Sequence, residues 1–367
     1  MKPMSDVKVI KVSAPGRICL FGEHQDYLGL CVISAAIDRR ISVSGVRIDE
    51  KILEIELPDI GGKEIIHLGK ENSPKNKRDY LRSSFNVLHR SGIEISSGYR
   101  CRIESTIPIG KGVSSSSALT VAWIKFLHII SGIEKPLLGF ELAEYAFKAE
   151  VQEFNEPGGM QDHLCAAMGG MLFMDFSEEV KVSKMSHLLS GFVLCDSGIT
   201  KDTIGVLARI KSEVADGVKI IKKHIDDFSL IFAPLENIRS LKIYMPDNIY
   251  RTICAVINIR DLTIEARSEI EKDIHDSKII GELFTRHHAL LRDGLLISTP
   301  QIERLIDAAM NGGALGCKIN GSGGGGCFIA YCPGHEEDVI EQIKKAGGDA
   351  HKVTIDEGVK ADVSSCH

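Results

Sequence analysis

The sequence predicts an α+β protein built in two parts, and three observations carry that reading. The chain of 367 residues exceeds what one simple core organises. Residues 7–57 alternate apolar and polar positions with β-branched enrichment, whereas helical spacing dominates residues 202–311. The apolar share of 44% and charged share of 26% match an ordinary globular protein, so almost the whole chain is expected to fold.

Taken in order, Val7 to Val12, Ile41 to Val46 and Ile52 to Ile55 read as strands separated by Gly and Asp turns. Residues 79–92 have helical spacing and a terminal Gly, and Arg100 to Ser105 reads as a further strand leading into Pro108. The run Leu119 to Ile130 is apolar but contains Lys125 and His128, which predicts a buried helix rather than a membrane span. A helix is expected over 136–154, starting just after Pro136, and a short apolar strand over Gly191 to Asp196, with a break near 185–190. Helices follow at 202–226, 251–273, 279–292 and 300–311, then a Gly-rich stretch, a strand from Cys327 to Cys332 and a last helix at 335–346.

The net charge of −6, with acids and bases interspersed, argues against nucleic acid as a partner. The opening residues lack the apolar stretch of a secretory signal, and no membrane partner is expected. The ten cysteines are scattered without a CxxC pair, which fits reduced thiols and a cytoplasmic location better than a disulfide framework. Cys327 and Cys332 read as core residues, since no zinc spacing accompanies them.

Three loops carry candidate chemistry. Pro108 to Ala118 combines Gly110, Lys111, Gly112 and Val113 with the serines Ser114, Ser115, Ser116 and Ser117 and runs into a helix. Glycines that turn N–H groups inward, hydroxyl donors and a helix N-terminus suit a phosphate. A Ser-capped helix after a Gly turn reads the same way, and the spacing is not that of the Walker pattern. The second loop, Gly321 to Gly326, holds five glycines in six residues. Ordering it costs chain entropy that a close backbone approach to a ligand explains, with a flexible turn as the alternative. The third, Ala14 to Gly29, places Glu23, His24 and Asp26 within four residues, a dense donor and acceptor set for a polyol. Such groups also decorate solvated loops, but the apolar run Cys31 to Ile37 suggests a loop tucked against structure.

In this order and spacing the three loops resemble the three motifs of the GHMP kinases. Gly16 to Gly29 is similar to the galactokinase signature GRxNLIGEHxDYxG, with Asp26 and Tyr27 pointing to that branch; Gly281 to Arg292 and the segment before Gly316 also look like the galactokinase C-terminal region. The likeness covers most of the chain. It implies a ribosomal-protein-S5-type N-terminal domain (1–187) and a ferredoxin-like C-terminal domain (188–367), with the site between them. It implies Asp162 as catalytic base and Arg17 beside it, Glu23, His24 and Asp26 as sugar contacts, and Ser116 and Glu150 as ligands of Mg²⁺. Nucleotide contacts then fall on Gly110, Lys111, Gly112, Val113, Ser114, Ser115, Ser116, Ser117 and Gly323.

The chemistry is coherent, because phosphoryl transfer rests on positioning, charge neutralisation and a carboxylate that accepts the hydroxyl proton. The implied activity is transfer of the γ-phosphoryl of ATP to the anomeric hydroxyl of galactose or a close galacto-configured hexose, by a monomer or weak homodimer. A kinase for a uronic acid, pentose, fucose or heptose, or a catalytically silent sugar sensor, is the alternative. Glu23 is expected to repel a uronic acid and favour a neutral primary alcohol. Three departures stand out. Val113 replaces the usual Leu, the base segment reads Gly158 to His163 (GGMQDH), and Asp196 to Thr203 replaces a longer family run, with Ala208 where the family's sugar-contacting Tyr falls.

Overall fold

The computed structural model describes residues 7–200 and 203–366; the opening residues 1–6, and Lys201 and Asp202 within the altered segment, lie outside the described residues. The chain runs β1 (Val7–Phe21), β2 (Val32–Ile48), β3 (Ile52–Leu57), β4 (Gly62–His67), α1 (Tyr80–Arg90), β5 (Gly98–Ser105), α2 (Ser115–Ser131), α3 (Gly139–Phe147), α4 (Gln161–Met168), β6 (Met171–Asp175) and β7 (Lys181–Lys184). It continues through β8 (Phe192–Asp196), α5 (Thr203–Ile221), α6 (Leu235–Arg239), α7 (Asp247–Ile270), α8 (Ser277–Ala289), α9 (Pro300–Asn311), β9 (Gly316–Asn320), β10 (Cys327–Tyr331), α10 (Glu336–Lys345), β11 (Asp349–Val353) and β12 (Lys360–Cys366). The fold is α+β, as expected.

The first sheet has the order β12-β1-β2-β5-β3-β4, with β6 on β2 and β7 on β6. Only β3 and β5 pair in parallel in it; every other pair is antiparallel. Its apolar face is covered by α1 to α4, where Trp123, Phe126 and Leu164 are fully buried. Helix α2 is buried nearly all round, as its composition predicts, and its Lys125 ammonium donates to the Leu137 carbonyl at 2.9 Å rather than standing unpaired. Among the described residues no helix is long and apolar enough to cross a membrane, and Cys19, Cys31, Cys101, Cys165, Cys195, Cys254, Cys317 and Cys332 are free thiols.

The second sheet has the antiparallel order β11-β8-β10-β9. By order of appearance that is 4-1-3-2 in a β-α-β-β-α-β chain, the ferredoxin-like arrangement. Strands β8, β9 and β10 are buried on both faces, which is why Cys327 to Cys332 reads as an unbroken apolar run, whereas the edge strand β11 exposes Asp349, His351 and Lys352. Phe192, Leu194, Ile329 and Tyr331 join the first core, while Val193, Cys195, Phe328 and Ala330 join a second core with α9 and α10. Alternation along two central strands therefore fuses the two halves.

Several elements differ from expectation. The helix expected over 136–154 is α3 followed by a π-helical turn, Lys148–Gln152. Helix α7 begins four residues early, directly after Pro246. The pattern over 279–292 is α8, capped by the Asp276 carboxylate, which accepts from the Lys278 N–H, and followed by a π-helical turn at Leu290–Gly294. The short elements β4, β6, β7, α4, β11 and β12 had no distinct sequence signal. Strand β12 returns to pair with β1, Val7 opposite Cys366 and Ser13 opposite Lys360.

Candidate functional site

The three loops meet at one cleft. Strand β1 ends in a turn that only glycine makes, since Gly22 has φ +86° and a Cβ there would lie 2.5 Å from the Cys31 carbonyl oxygen. The loop that follows is buried rather than solvated: Glu23, His24 and Asp26 are 2%, 3% and 7% exposed. His24 takes the left-handed conformation at φ 64°, with Nδ1 2.8 Å from the Tyr27 hydroxyl. Burial drives its imidazole down to about 4, so it is neutral at pH 7. Burial, with the Asp162 charge second, pushes the Asp26 carboxyl up to about 6. Asp26 accepts from the Gln161 N–H at 3.3 Å, joining the loop to the start of α4.

Asp162 sits in the first turn of α4, where Arg17 Nε donates to Oδ1 at 2.7 Å. Burial alone would raise this carboxyl, but the Arg17 charge, joined by the Ser114 hydroxyl, the His163 charge and the Arg17 hydrogen bond, outweighs it and holds it below the ordinary carboxylate range. Arg17 also donates to the Gly112 carbonyl at 2.6 Å, and its N–H reaches the Val113 carbonyl at 3.3 Å. The cation of the first loop is thus clamped to the second loop and to the base segment.

The second loop turns through Gly110 and Gly112, with φ +71° and +90°, and through Ser114 in the left-handed region at φ 59°, before α2 begins at Ser115. This aims the α2 N-terminus and Ser114 to Ser117 into the cleft. Glu150 lies in the π-helical turn after α3, a distortion that often re-aims side chains at functional positions. Its Oε2 is 2.8 Å from His163 Nε2 and accepts from Thr120 Oγ1 at 3.3 Å. Burial works to raise Glu150, yet the neighbouring His163 and the Ser116 and Ser117 hydroxyls hold it below its usual range.

Not every predicted contact lines the cleft. Lys111 is paired with Asp196 at 3.0 Å and Val113 is buried in the core; neither lines it, whereas Gly110, Gly112 and the four serines do. Gly323 faces away: its φ is +73° and a Cβ would lie 2.7 Å from Ile297 Cβ. Gly321 and Ser322 reach the cleft instead, and a Cβ at Gly321 would lie 2.8 Å from the Gly112 carbonyl oxygen. Ala208 is exposed, and the α5 side chains that line the cleft are Thr203 and Leu207, one turn apart.

Sequence reading missed four residues. Lys318, fully buried on β9, pairs with Glu23 at 2.9 Å, so Glu23 is not the uncompensated carboxylate assumed in arguing against a uronic acid. Asn320, two residues on, donates to the Gly112 carbonyl at 2.8 Å and accepts from the Cys19 N–H at 2.8 Å. His163 braces Glu150. Arg78, at the mouth, forks Glu156 at 2.6 and 2.9 Å. The signal for Lys318 and Asn320 is their alternation on an otherwise apolar strand just ahead of the glycine run.

Comparison with known proteins agrees with this geometry. Residues 79–170 match the GHMP kinases N terminal domain, 266–349 the GHMP kinases C terminal, and 5–46 the galactokinase galactose-binding signature, together more than half of the chain. A mevalonate kinase of Pyrococcus furiosus is 29% identical over 351 residues, covering 93% of this chain and 94% of that protein. A galactokinase of Mannheimia succiniciproducens is 25% identical over 377 residues, covering 97% and 92%. In structure, the Lactococcus lactis galactokinase complexed with galactose aligns with a TM-score of 0.84 at 20% identity, over 96% of this chain and 95% of that one. The chain belongs to the GHMP kinase family, on the branch marked by the galactokinase signature, and is a kinase that phosphorylates an alcohol group of a small molecule.

Proposed function

We propose that this kinase transfers the γ-phosphoryl of ATP to the anomeric hydroxyl of galactose or a close galacto-configured hexose. The observation that carries the reading is the Arg17–Asp162 pair, standing between the acceptor-type groups of the first loop and the N-terminus of α2. Asp162, kept ionised by Arg17, accepts the proton of the sugar hydroxyl, and Arg17 offsets charge on the reacting phosphoryl group. Glu23, His24 and Asp26 orient the sugar; Gly110, Gly112 and Ser114 to Ser117 cradle the phosphates with backbone and hydroxyl donors.

Glu150 and Ser116 offer hard oxygens suited to Mg²⁺, and no group of three or more His, Cys, Asp or Glu among the described residues makes a self-sufficient metal site. That shortage suits an ion whose shell is completed by nucleotide phosphates and water. When bound, Mg²⁺ neutralises charge on the transferring phosphates. We read 1–187 and 188–367 as the two domains, with β12 as the segment of the second that completes the sheet of the first.

One observation favours a second acceptor class. Lys318 neutralises Glu23, and Leu207 rather than an aromatic hydroxyl lines the α5 side, so a carboxylated acceptor meets less repulsion than the sequence implied. Release of ADP, measured across galactose, galactosamine derivatives, galacturonate, fucose, arabinose, a mannoheptose and mevalonate, decides the matter. Galactose as the best acceptor supports the proposal; faster turnover of any carboxylated acceptor replaces it.

A further inference from the structure

Strand β9 is one of the two edge strands of the second sheet, and its two faces differ in kind. Cys317 and Ile319 point into the second apolar core, whereas Lys318 and Asn320, on the opposite face, are 0% and 1% exposed. A buried ammonium and a buried amide persist in a fold only when their hydrogen-bonding capacity is met. Both are met on the other half of the molecule, and at the same residue. The Cys19 N–H donates to Asn320 Oδ1 at 2.8 Å and the Cys19 carbonyl accepts from Lys318 Nζ at 2.6 Å. Cys19 stands opposite Ser34 in the β1–β2 ladder and, two residues on from Arg17, turns its backbone groups outward by the usual antiparallel alternation.

Each side chain then reaches onward to a different end of the site. Lys318 continues to Glu23 at 2.9 Å, on the acceptor loop, and Asn320 Nδ2 continues to the Gly112 carbonyl at 2.8 Å. That carbonyl is the one Arg17 Nη1 holds at 2.6 Å. Gly112 thereby receives two donors, one from each half of the protein.

We propose that Lys318 and Asn320 are positioning residues with separate duties: Lys318 fixes Glu23 and sets acceptor affinity, and Asn320 fixes the Gly112 carbonyl, and through it Arg17, and sets the rate of phosphoryl transfer. The inference rests on the proposed roles of Glu23 and Arg17. Neither residue touches the reacting groups. Lys318 acts by holding one carboxylate oxygen, leaving the other for a hydroxyl, and Asn320 acts by holding the carbonyl that orients the guanidinium facing Asp162.

The test is steady-state kinetics with the best acceptor from the ADP-release screen, together with binding of a fluorescent ADP analogue. Lys318→Met is expected to raise acceptor KM by about tenfold or more while kcat and ADP affinity stay within about twofold. Asn320→Leu is expected to lower kcat by about tenfold to a hundredfold at nearly constant acceptor KM, the scale set by small misplacements of a catalytic group. In the double variant E23Q/K318M, acceptor KM should equal that of Glu23→Gln alone, because Lys318 acts only through Glu23.

Parallel losses in KM and kcat for both single variants, or an acceptor KM in the double variant well above that of Glu23→Gln, overturn the division of duties. If Lys318→Met leaves Glu23 as a lone buried charge and does not fold, the double variant, which carries no lone charge, supplies the same comparison. Failure of the acceptor reading looks different: Glu23→Gln itself then leaves acceptor KM unchanged. That outcome removes the Lys318 arm, and the Asn320 arm still stands or falls on kcat.

Discussion

Gly159 and Asp26 are in contact so close that a Cβ at position 159 would lie 2.0 Å from Asp26 Oδ2. The second glycine of the base segment thus leaves the space into which the acceptor-loop carboxylate fits. Gly159→Ala should displace Asp26 and raise acceptor KM about tenfold or more, with ATP KM nearly unchanged, since the methyl meets the carboxylate and not the phosphate loop. Equal changes in both constants would show that position 159 serves the fold alone.

Asp162→Asn should lower kcat by about a hundredfold to ten-thousandfold while nucleotide binding persists, because the shape is kept and the proton acceptor is lost. Arg17→Met adds a pH signature. With the guanidinium gone, burial acts on Asp162 against only the Ser114 hydroxyl and His163 and its pKa rises, so the acid limb of kcat should move to higher pH than in the wild type. A limb that stays in place assigns the base elsewhere.

Asp26 carries a second pH effect. Its carboxyl, pushed up to about 6 by burial and then by the Asp162 charge, takes a proton as pH falls through that value. Acceptor kcat/KM should therefore decline below about pH 6, with ATP affinity level across the same range. Linkage runs the other way for the fold. A raised carboxyl pKa adds stability that is complete below the unfolded value and is lost as pH rises through the folded one. Asp26→Asn should consequently stabilise the protein at pH 7, by about 1–3 kcal/mol, and much less at pH 4. Melting curves at the two pH values check the sign.

Glu150→Gln and Ser116→Ala should each raise the Mg²⁺ concentration for half-maximal rate, since each removes or weakens one hard oxygen. If neither variant shifts that concentration, the ion is held by other groups.

Gly323→Val should act on stability before it acts on nucleotide affinity. A side chain in the left-handed region costs roughly 1–2 kcal/mol, and the clash with Ile297 adds to it. A variant that melts like the wild type but binds nucleotide poorly would return this glycine to the ligand.

The loops that meet at the cleft were legible because glycine, serine and acidic residues in a fixed order constrain local backbone and chemistry at once. Arg17, Asp162, Glu150 and the α2 serines converge as the resemblance implies, although nothing in local spacing required Arg17 and Asp162 to touch. What escaped was phase and partnership. Ala208 and Leu207 are one residue apart, but on a helix that step turns a side chain by about 100°, from solvent into the cleft. Gly321 and Gly323 differ in the same way along a loop whose direction only the fold determines. Lys318 and Asn320 have their partners at Glu23, Cys19 and Gly112, and no pattern internal to either segment announces the other. The short strands β7 and β11 escaped because, unlike the equally short apolar runs at β8 and β10, they are made mostly of exposed residues.

The pairing of β1 with β12 bears on how the molecule comes into being. Synthesis proceeds from one end, so β1 and β2 leave the ribosome long before Lys360 to Cys366 exist. Until then the outer side of β1, from Val7 to Ser13, presents unpaired peptide groups, an open edge of the kind that recruits neighbouring chains. The Arg40 guanidinium, which binds Ser13, Asp356 and the Gly358 carbonyl, likewise waits for the last segment before its contacts are filled. The first sheet to emerge is therefore the last to be sealed, and a nascent chain stalled short of residue 360 carries a nearly finished acceptor loop beside an unguarded edge.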